Sequence, residues 1–481
     1  MSTRAENGAE ISKNTDKPFR QYFWVIAFIL IYFLSMQYAK YADITVQYYD
    51  SKVYWNLAND ILYNGYNPIY ILRFPQSIRG YFFPVLIGYF KAFFNGIRGW
   101  RILASLSVGL CFSLSLPYAI KGRGIHSIRE LFRTMLAYAV FMWVWGNFMQ
   151  YPLSDFFSFF FLISAIAGLR SINFIPSVFL KALAGFISGL LLYAAYNTRP
   201  TFLYSILVIL TIYLFINRKY RKYVWIVLGN ILLGMVILSL PQCYINNRHE
   251  GSFSPKVFYN LVGSEVFRGI YTARYETYTG NSDDLHAGGF VFTDPVGKII
   301  LEREKISIED FQINRIFDLF LKYPLDMPGI YIRHFLSLMT PVYRDVYISN
   351  IYEIDWILII VSIFLWLLAG YGLLVQISDN GLKVEALWIF AVCLPGLLQI
   401  FDEPELRFFL PLYVLCYYYV FVMIDFKTLY REFRVKIIPV LVIILAVFML
   451  WLTLTGSILS SGIDKPLLIS DNTAYIIDKQ K

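Results

Sequence analysis

Charge is what this sequence has least of. Asp, Glu, Lys and Arg together make up 16% of its 481 residues, where a soluble domain carries about 25%, and that deficit argues against a water-soluble enzyme. Cysteine is almost as scarce: Cys111, Cys393 and Cys416 lie inside apolar runs and Cys243 stands alone just beyond one, so no disulfide framework or Cys-x-x-Cys metal site can be built. None of the four histidines falls within a long apolar run, which counts against a membrane acyltransferase with an in-membrane His. The central parts of those runs contain no Asp, Glu, Lys, Arg or His. Ion-coupled transporters need such groups near the midplane to bind the ion or relay the proton, so their absence counts against one.

Apolar and aromatic residues fill the space left by charge, at 58% and 19% of the chain. Stretches near the length of a bilayer crossing recur at 22–39, 101–120, 133–150, 154–169, 177–197, 201–217, 223–240, 355–376, 384–401, 406–424 and 437–458. They predict an all-α polytopic membrane protein with about eleven transmembrane helices. The first run lacks a small-x-small cleavage site and reads as a retained span. The run 82–95 is too short to cross and carries Lys91 in its middle, so it reads as an interfacial helix in the first outer loop. The net charge of +9 gathers in short clusters between runs: Lys121 to Arg133, Arg170 with Lys181, Arg218 to Lys222, and Lys427 to Lys436. All of them fall on the cytoplasmic side if the N-terminus is inside, which reports topology rather than a nucleic-acid-binding face.

The outer segments are then 40–100, a short turn at Asp155, 241–354 and the tail 459–481. The largest shows no independent core. Residues 277–289 are turn-forming, Ser307 with Asp310 reads as a capping box opening a helix to about Lys322, and Tyr331 to Met339 reads as an amphipathic run on the outer membrane face. Acidic residues collect at outer span ends: Asp43, Asp50, Asp155, Glu353, Asp355, Asp402, Glu403 and Glu405. Asp50 opens a stretch in which Val53, Leu57, Ile61 and Leu62 repeat at helical spacing, with Gly65 closing the helix and Asn67-Pro68-Ile69-Tyr70 turning the chain. It therefore stands on a first helical turn, where the helix dipole favours a carboxylate.

At these positions the chain resembles the GT-C membrane glycosyltransferases, a class that includes protein O-mannosyltransferases, the lipid A aminoarabinose transferase and mycobacterial polyprenyl-phosphate-dependent mannosyltransferases. Asp50, Tyr54, Ala58, Leu62, Gly65, Pro68-Ile69-Tyr70 and Tyr81-Phe82-Phe83-Pro84-Val85 are similar to the first outer loop of that class. Tyr151-Pro152-Leu153-Ser154-Asp155 resembles its second acidic loop, and Asn197-Thr198-Arg199-Pro200 its Arg-Pro at a later helix end. Pro241, Asn246 and Gly251 resemble a pattern that follows a span, and Glu405-Leu406-Arg407-Phe408-Phe409-Leu410-Pro411 a late Glu-x-Arg-Tyr-x-x-Pro element. The chain departs from the class where Phe83-Pro84 replaces Pro-Pro, Phe408 replaces Tyr and Asp50-Ser51 replaces Asp-Glu. A second acid, if one is needed, must then be Asp43 or Asp155.

The resemblance implies an N-terminal catalytic module at 22–240 behind a cytoplasmic tail at 1–21, a large outer segment at 241–354 and a C-terminal transmembrane module at 355–458. It implies transfer of a sugar from a polyprenyl-phosphate donor to a lipid, glycan or protein acceptor on the outer face, as in a bacterial plasma membrane. Asp50 would be the general base, with Asp155 as a second catalytic residue that binds a divalent cation or orients the acceptor. No cofactor is otherwise expected, and no carboxylate or His cluster marks a metal site. Arg199 and Arg407 read either as ligands of the donor phosphate or as snorkelling arginines. Tyr54, Tyr81, Asn246 and Glu405 complete the expected substrate contacts. The alternative from another class is a lipid or oligosaccharide transporter without glycosyl transfer.

Overall fold

Backbone polar groups inside a bilayer have no water to pair with, and a helix satisfies them within one segment. The computed structural model describes residues 22–63, 79–217, 221–257, 262–279, 288–308, 311–380, 384–427, 437–464, 467–470 and 473–476. Among these, nine helices are long and apolar enough to cross a membrane: Phe23–Ala42, Ile97–Lys121, Ser154–Phe174, Val178–Thr198, Pro200–Asn217, Tyr223–Glu250, Trp356–Val375, Leu406–Met423 and Leu441–Ser460. The chain is thus a mainly helical, multi-pass membrane protein. Of the expected spans, 133–150 appears as Ile128–Trp145, whose first turn is charged, and 384–401 as a shorter apolar helix, Ala386–Phe401.

Local chemistry explains where several boundaries move. Ser127 accepts a hydrogen bond from the Glu130 amide at 3.2 Å while the Glu130 carboxylate accepts one from the His126 amide at 2.9 Å. This reciprocal cap starts the helix at Ile128, ahead of the apolar run. The helix expected to end at 240 continues through Pro241 to Glu250, because Gln242 and Asn246, one turn apart, are buried and bonded to each other at 3.0 Å. The span Ile97–Lys121 is α-helical only to Leu110, and π-helical turns follow at Cys111–Ser115 and Pro117–Lys121.

Two shorter helices stand between the first span and the second. Tyr49–Tyr63 has 15 residues and Phe82–Phe93 has 12, and they pack through an edge-to-face contact of Tyr54 on Phe83 at 5.0 Å. Lys91 is buried between them, its ammonium 3.3 Å from the centre of the Trp55 ring and bonded to Asn59. The expected helix end at Gly65 and turn at Asn67 to Tyr70 lie outside the described residues, as do the tail 1–21 and the basic positions 218–220, 431, 434 and 436.

The large segment 241–354, expected on the outer side, departs most from expectation, because it does have a core. Val266, Ile270, Ile300, Leu319, Met327 and Ile330 bury together, and beside them stands a five-stranded sheet in the order β3-β1-β2-β4-β5. Its strands are β1 (Thr272–Tyr278), β2 (Gly288–Thr293), β3 (Tyr347–Ile348), β4 (Leu467–Ser470) and β5 (Thr473–Ile476). The residues expected to turn at 277–289 are therefore strand at both ends, while 280–287 lie outside the described residues. No helix opens at Ser307: Phe311 is buried in the outer core ahead of the helix Arg315–Lys322, and Asp310 lies outside the described residues. The helix Asp326–Leu338, which covers most of the amphipathic run expected at Tyr331 to Met339, buries Met327, Ile330, Tyr331 and His334 against protein and leaves Ile332 exposed.

Candidate functional site

The chain enters the helix Tyr49–Tyr63 through a left-handed Tyr49, φ 39°, and the sheet fixes that entrance. The Tyr49 hydroxyl donates to the Tyr278 carbonyl at the end of β1 at 2.8 Å, and the Ser51 amide donates to the Tyr347 hydroxyl on β3 at 3.2 Å. Asp50 is held between these two anchors. Its carboxylate bridges two guanidiniums, Arg79 on one oxygen and Arg407 at 2.7 Å on the other. Burial works against the charge, yet Arg79 and Arg407 together outweigh it and hold Asp50 well below the usual carboxylate range.

Each arginine is delivered by its own packing requirement. Gly80 lies so close to Asn197 that a Cβ there would stand 1.8 Å from the Asn197 carbonyl oxygen, so only glycine brings Arg79 alongside the end of the helix Val178–Thr198. Arg407 sits in the 3-10 turn Leu406–Phe409, whose approach is tied to β1 by a Tyr275 amide bond to the Pro404 carbonyl at 3.1 Å. Glu405 lies 2.7 Å from Arg407 Nε as an ion pair whose N–H is not aimed at the oxygen. Burial pushes Glu405 up to about 7, against the pull of Arg407. Its neighbours Asp402 and Glu403 are raised by burial to about 7 and about 8.

A second ion pair adjoins the first. Asp155 stands on the first turn of the helix Ser154–Ser171. Arg199 is held extended because the residue before a proline disfavours the helical region. The two side chains pair, and the other Asp155 oxygen is buried with no hydrogen-bond partner. Phe408 joins the pairs, its ring centre 4.2 Å from Arg199 and 5.5 Å from Arg407. Asp155 lines one small cavity with Arg407 and another with Arg199, each of about 10 Å³, roughly room for a single water. The guanidiniums of the cluster are engaged by its own carboxylates, so an entering anion competes with them for the arginines.

Asp50, Asp155, Arg199, Arg407 and Glu405 are thus brought together from distant parts of the chain. Tyr54 lies beside them, buried, with Arg79 5.5 Å from its ring centre. Tyr81 and Asn246 are placed otherwise. The Tyr81 hydroxyl donates to the Leu238 carbonyl at 2.6 Å. Asn246 donates to the carbonyls of Ser254 and Lys256 at 2.6 and 2.7 Å, pinning the chain beyond its helix. Asp43 pairs with Arg101 at 2.8 Å and is largely exposed, which leaves Asp155 as the second acid of the cluster. Sequence reasoning missed Arg79 and Tyr347. For Arg79 the available signal was a cation two residues before Tyr81, at the mouth of a helix expected to be interfacial.

The chain matches no protein-family model, no curated protein and no solved structure. The functional reading therefore rests on the chemistry of the cluster. No group of three or more His, Cys, Asp or Glu side chains that could hold a metal ion occurs among the described residues. The cationic groups of the cluster are guanidiniums, whose planar donor fork matches phosphate oxygens.

Proposed function

We propose that the chain is a membrane glycosyltransferase that moves a sugar from a polyprenyl-phosphate donor to a hydroxyl of a lipid, glycan or protein acceptor, with Asp50 as general base. One observation carries the reading: Arg79, Arg199 and Arg407 surround Asp50 and Asp155 in one cluster, at the end of the bundle where the outer segment packs. A donor phosphodiester carries one negative charge. Its oxygens displace the Asp50 carboxylate from Arg407, and the freed carboxylate regains basicity as it loses a cation. The acceptor oxygen then attacks the anomeric carbon, its proton passes to Asp50, and the bond from that carbon to the phosphate oxygen breaks. The departing phosphate monoester gains a negative charge, so the arginines hold it more tightly in the transition state than in the ground state. Asp155, with one oxygen on Arg199 and the other unsatisfied, is placed to orient an acceptor hydroxyl.

We infer further that the chain crosses the membrane eleven times. Arg170 holds the Ala119 and Ile120 carbonyls and Arg133 the Ile424 carbonyl at the basic end of the bundle, whereas Tyr151 packs on Tyr347 at the site end. Ile128–Trp145 joins the two ends, and by the same connectivity so does Ala386–Phe401. Basic loops favour the cytoplasmic side, which supports reading the cluster as lying on the outer face, as in a bacterial plasma membrane.

The experiment is transfer by purified protein in liposomes from defined polyprenyl-phosphate sugars. Asp50→Asn keeps the size but cannot take a proton at neutral pH, so transfer should fall roughly 100- to 10,000-fold. Donor affinity should be kept or raised, because an anion competing for Arg407 is gone. Normal transfer by Asp50→Asn would remove the base. A wild-type protein that transfers from no such donor yet moves lipid-linked substrate between leaflets is a transporter instead.

A further inference from the structure

A crevice of about 760 Å³ opens at the end of the bundle opposite the ion-pair cluster. Its walls are apolar, with Leu110 and Leu114 from one span and Phe160 and Ala167 from another, while Arg123 and His126 stand at its mouth. From Leu110 to the mouth at Gly122 the wall runs about 18 Å along the helix, a little over half of the roughly 30 Å hydrocarbon core and so about the depth of one leaflet. The π-helical turns Cys111–Ser115 and Pro117–Lys121 fall along this same wall. Such widened turns are uncommon and frequently accompany functional sites.

Charge at the mouth says what kind of headgroup fits. Glu130 is shared by Arg123 at 2.8 Å and Lys121 at 3.5 Å, while Arg129 is exposed on the following helix and Arg170 crosses to the Ala119 and Ile120 carbonyls. Lys121 and Arg123 share this one carboxylate, and the Arg123 side chain is 54% exposed. An anion at the mouth balances that surplus, and a zwitterionic headgroup does not.

We propose that this crevice binds one anionic phospholipid of the leaflet opposite the ion-pair cluster, with an acyl chain along the wall and the phosphate at Arg123. The occupant has the depth of a leaflet chain, the polarity of the walls and the charge that the mouth lacks. Neither sugar transfer nor the outer site enters this argument, so the lipid site stands or falls apart from the glycosyltransferase reading.

Native mass spectrometry of the full chain tests it, after equilibration in mild detergent with equal phosphatidylglycerol and phosphatidylethanolamine. One phosphatidylglycerol per chain should remain bound, at least tenfold in excess of phosphatidylethanolamine. Arg123→Gln should cut that preference to about threefold or less. Ala167→Phe, which fills the crevice, should abolish retention, and Leu114→Trp does the same should Ala167→Phe fail to fold. Arg129→Gln, which changes an exposed cation outside the crevice, should retain lipid as the wild type does. Equal retention of the two phospholipids, retention by a folded crevice-filling variant, or recovery of a polyprenyl phosphate in place of phospholipid would overturn the proposal.

Discussion

A carboxylate clasped by two guanidiniums is a weak base, and Asp50 is so clasped. Its low proton affinity belongs to the free protein, in which both guanidiniums hold its carboxylate. Glu405 shares Arg407 and has the opposite character, since burial raises it to about 7. Below that pH Glu405 is neutral and Arg407 faces one competing carboxylate; above it, two. A phosphodiester donor does not titrate in this range, so the pH dependence of its binding reports the raised carboxylates of the site, and of these Glu405 is the one paired with Arg407. Donor affinity should weaken about three- to tenfold between pH 6 and pH 8. In Glu405→Gln it should be flat and stay at the tighter, low-pH value. Equilibrium titration of a labelled donor at the two pH values checks this, and an undiminished slope in the Gln variant would assign the effect to another group.

At the scale of elements, the site depends on close approaches that hydrophobic patterning does not announce. The helix opened by Asp50 was legible because Val53 and Leu57 repeat at helical spacing and a carboxylate suits a first turn. The separate short helix Phe82–Phe93 was legible from its length and from Lys91. Arg79 was not, because its place is set by Gly80 lying against Asn197, a contact between residues more than a hundred positions apart. The sheet was hidden for a similar reason: β4 comes from the tail and pairs with β2 through Gly289 and Ile469, Phe290 and Leu468, and Val291 and Leu467. Gly80→Ala tests the close approach. Its Cβ would force the helix Phe82–Phe93 away from Asn197, which also accepts from the Phe82 amide at 2.8 Å. The expected cost is about 1–3 kcal/mol of stability, read as a lowered thermal midpoint in detergent, together with slower transfer as Arg79 shifts. An unchanged midpoint and rate would mean that the contact relaxes freely and does not position Arg79.

At the scale of the whole molecule, the basic loops and the ion-pair cluster occupy opposite ends of one bundle, and strand pairing brings the tail to the cluster's end. This arrangement depends on whether the charged-ended helix Ile128–Trp145 and the shorter apolar helix Ala386–Phe401 cross the membrane. Exposed positions flank both: Arg123, Asn173, Ser349 and Lys427. In a background with the four native cysteines replaced, a single cysteine at Arg123, Asn173 or Lys427 should react with an impermeant thiol reagent from the cytoplasmic side. One at Ser349 should react from the outside. Each position reports a different crossing. Were Ile128–Trp145 not to cross, the one crossing left between Arg123 and Asn173 would place them on opposite sides. Were Ala386–Phe401 not to cross, Lys427 would label from the same side as Ser349. Labelling of Arg123, Asn173 and Lys427 from one side and Ser349 from the other is the pattern that eleven crossings require. It would also set the proposed lipid crevice in the cytoplasmic leaflet and the arginine cluster at the outer surface, where a polyprenyl-phosphate sugar can reach it.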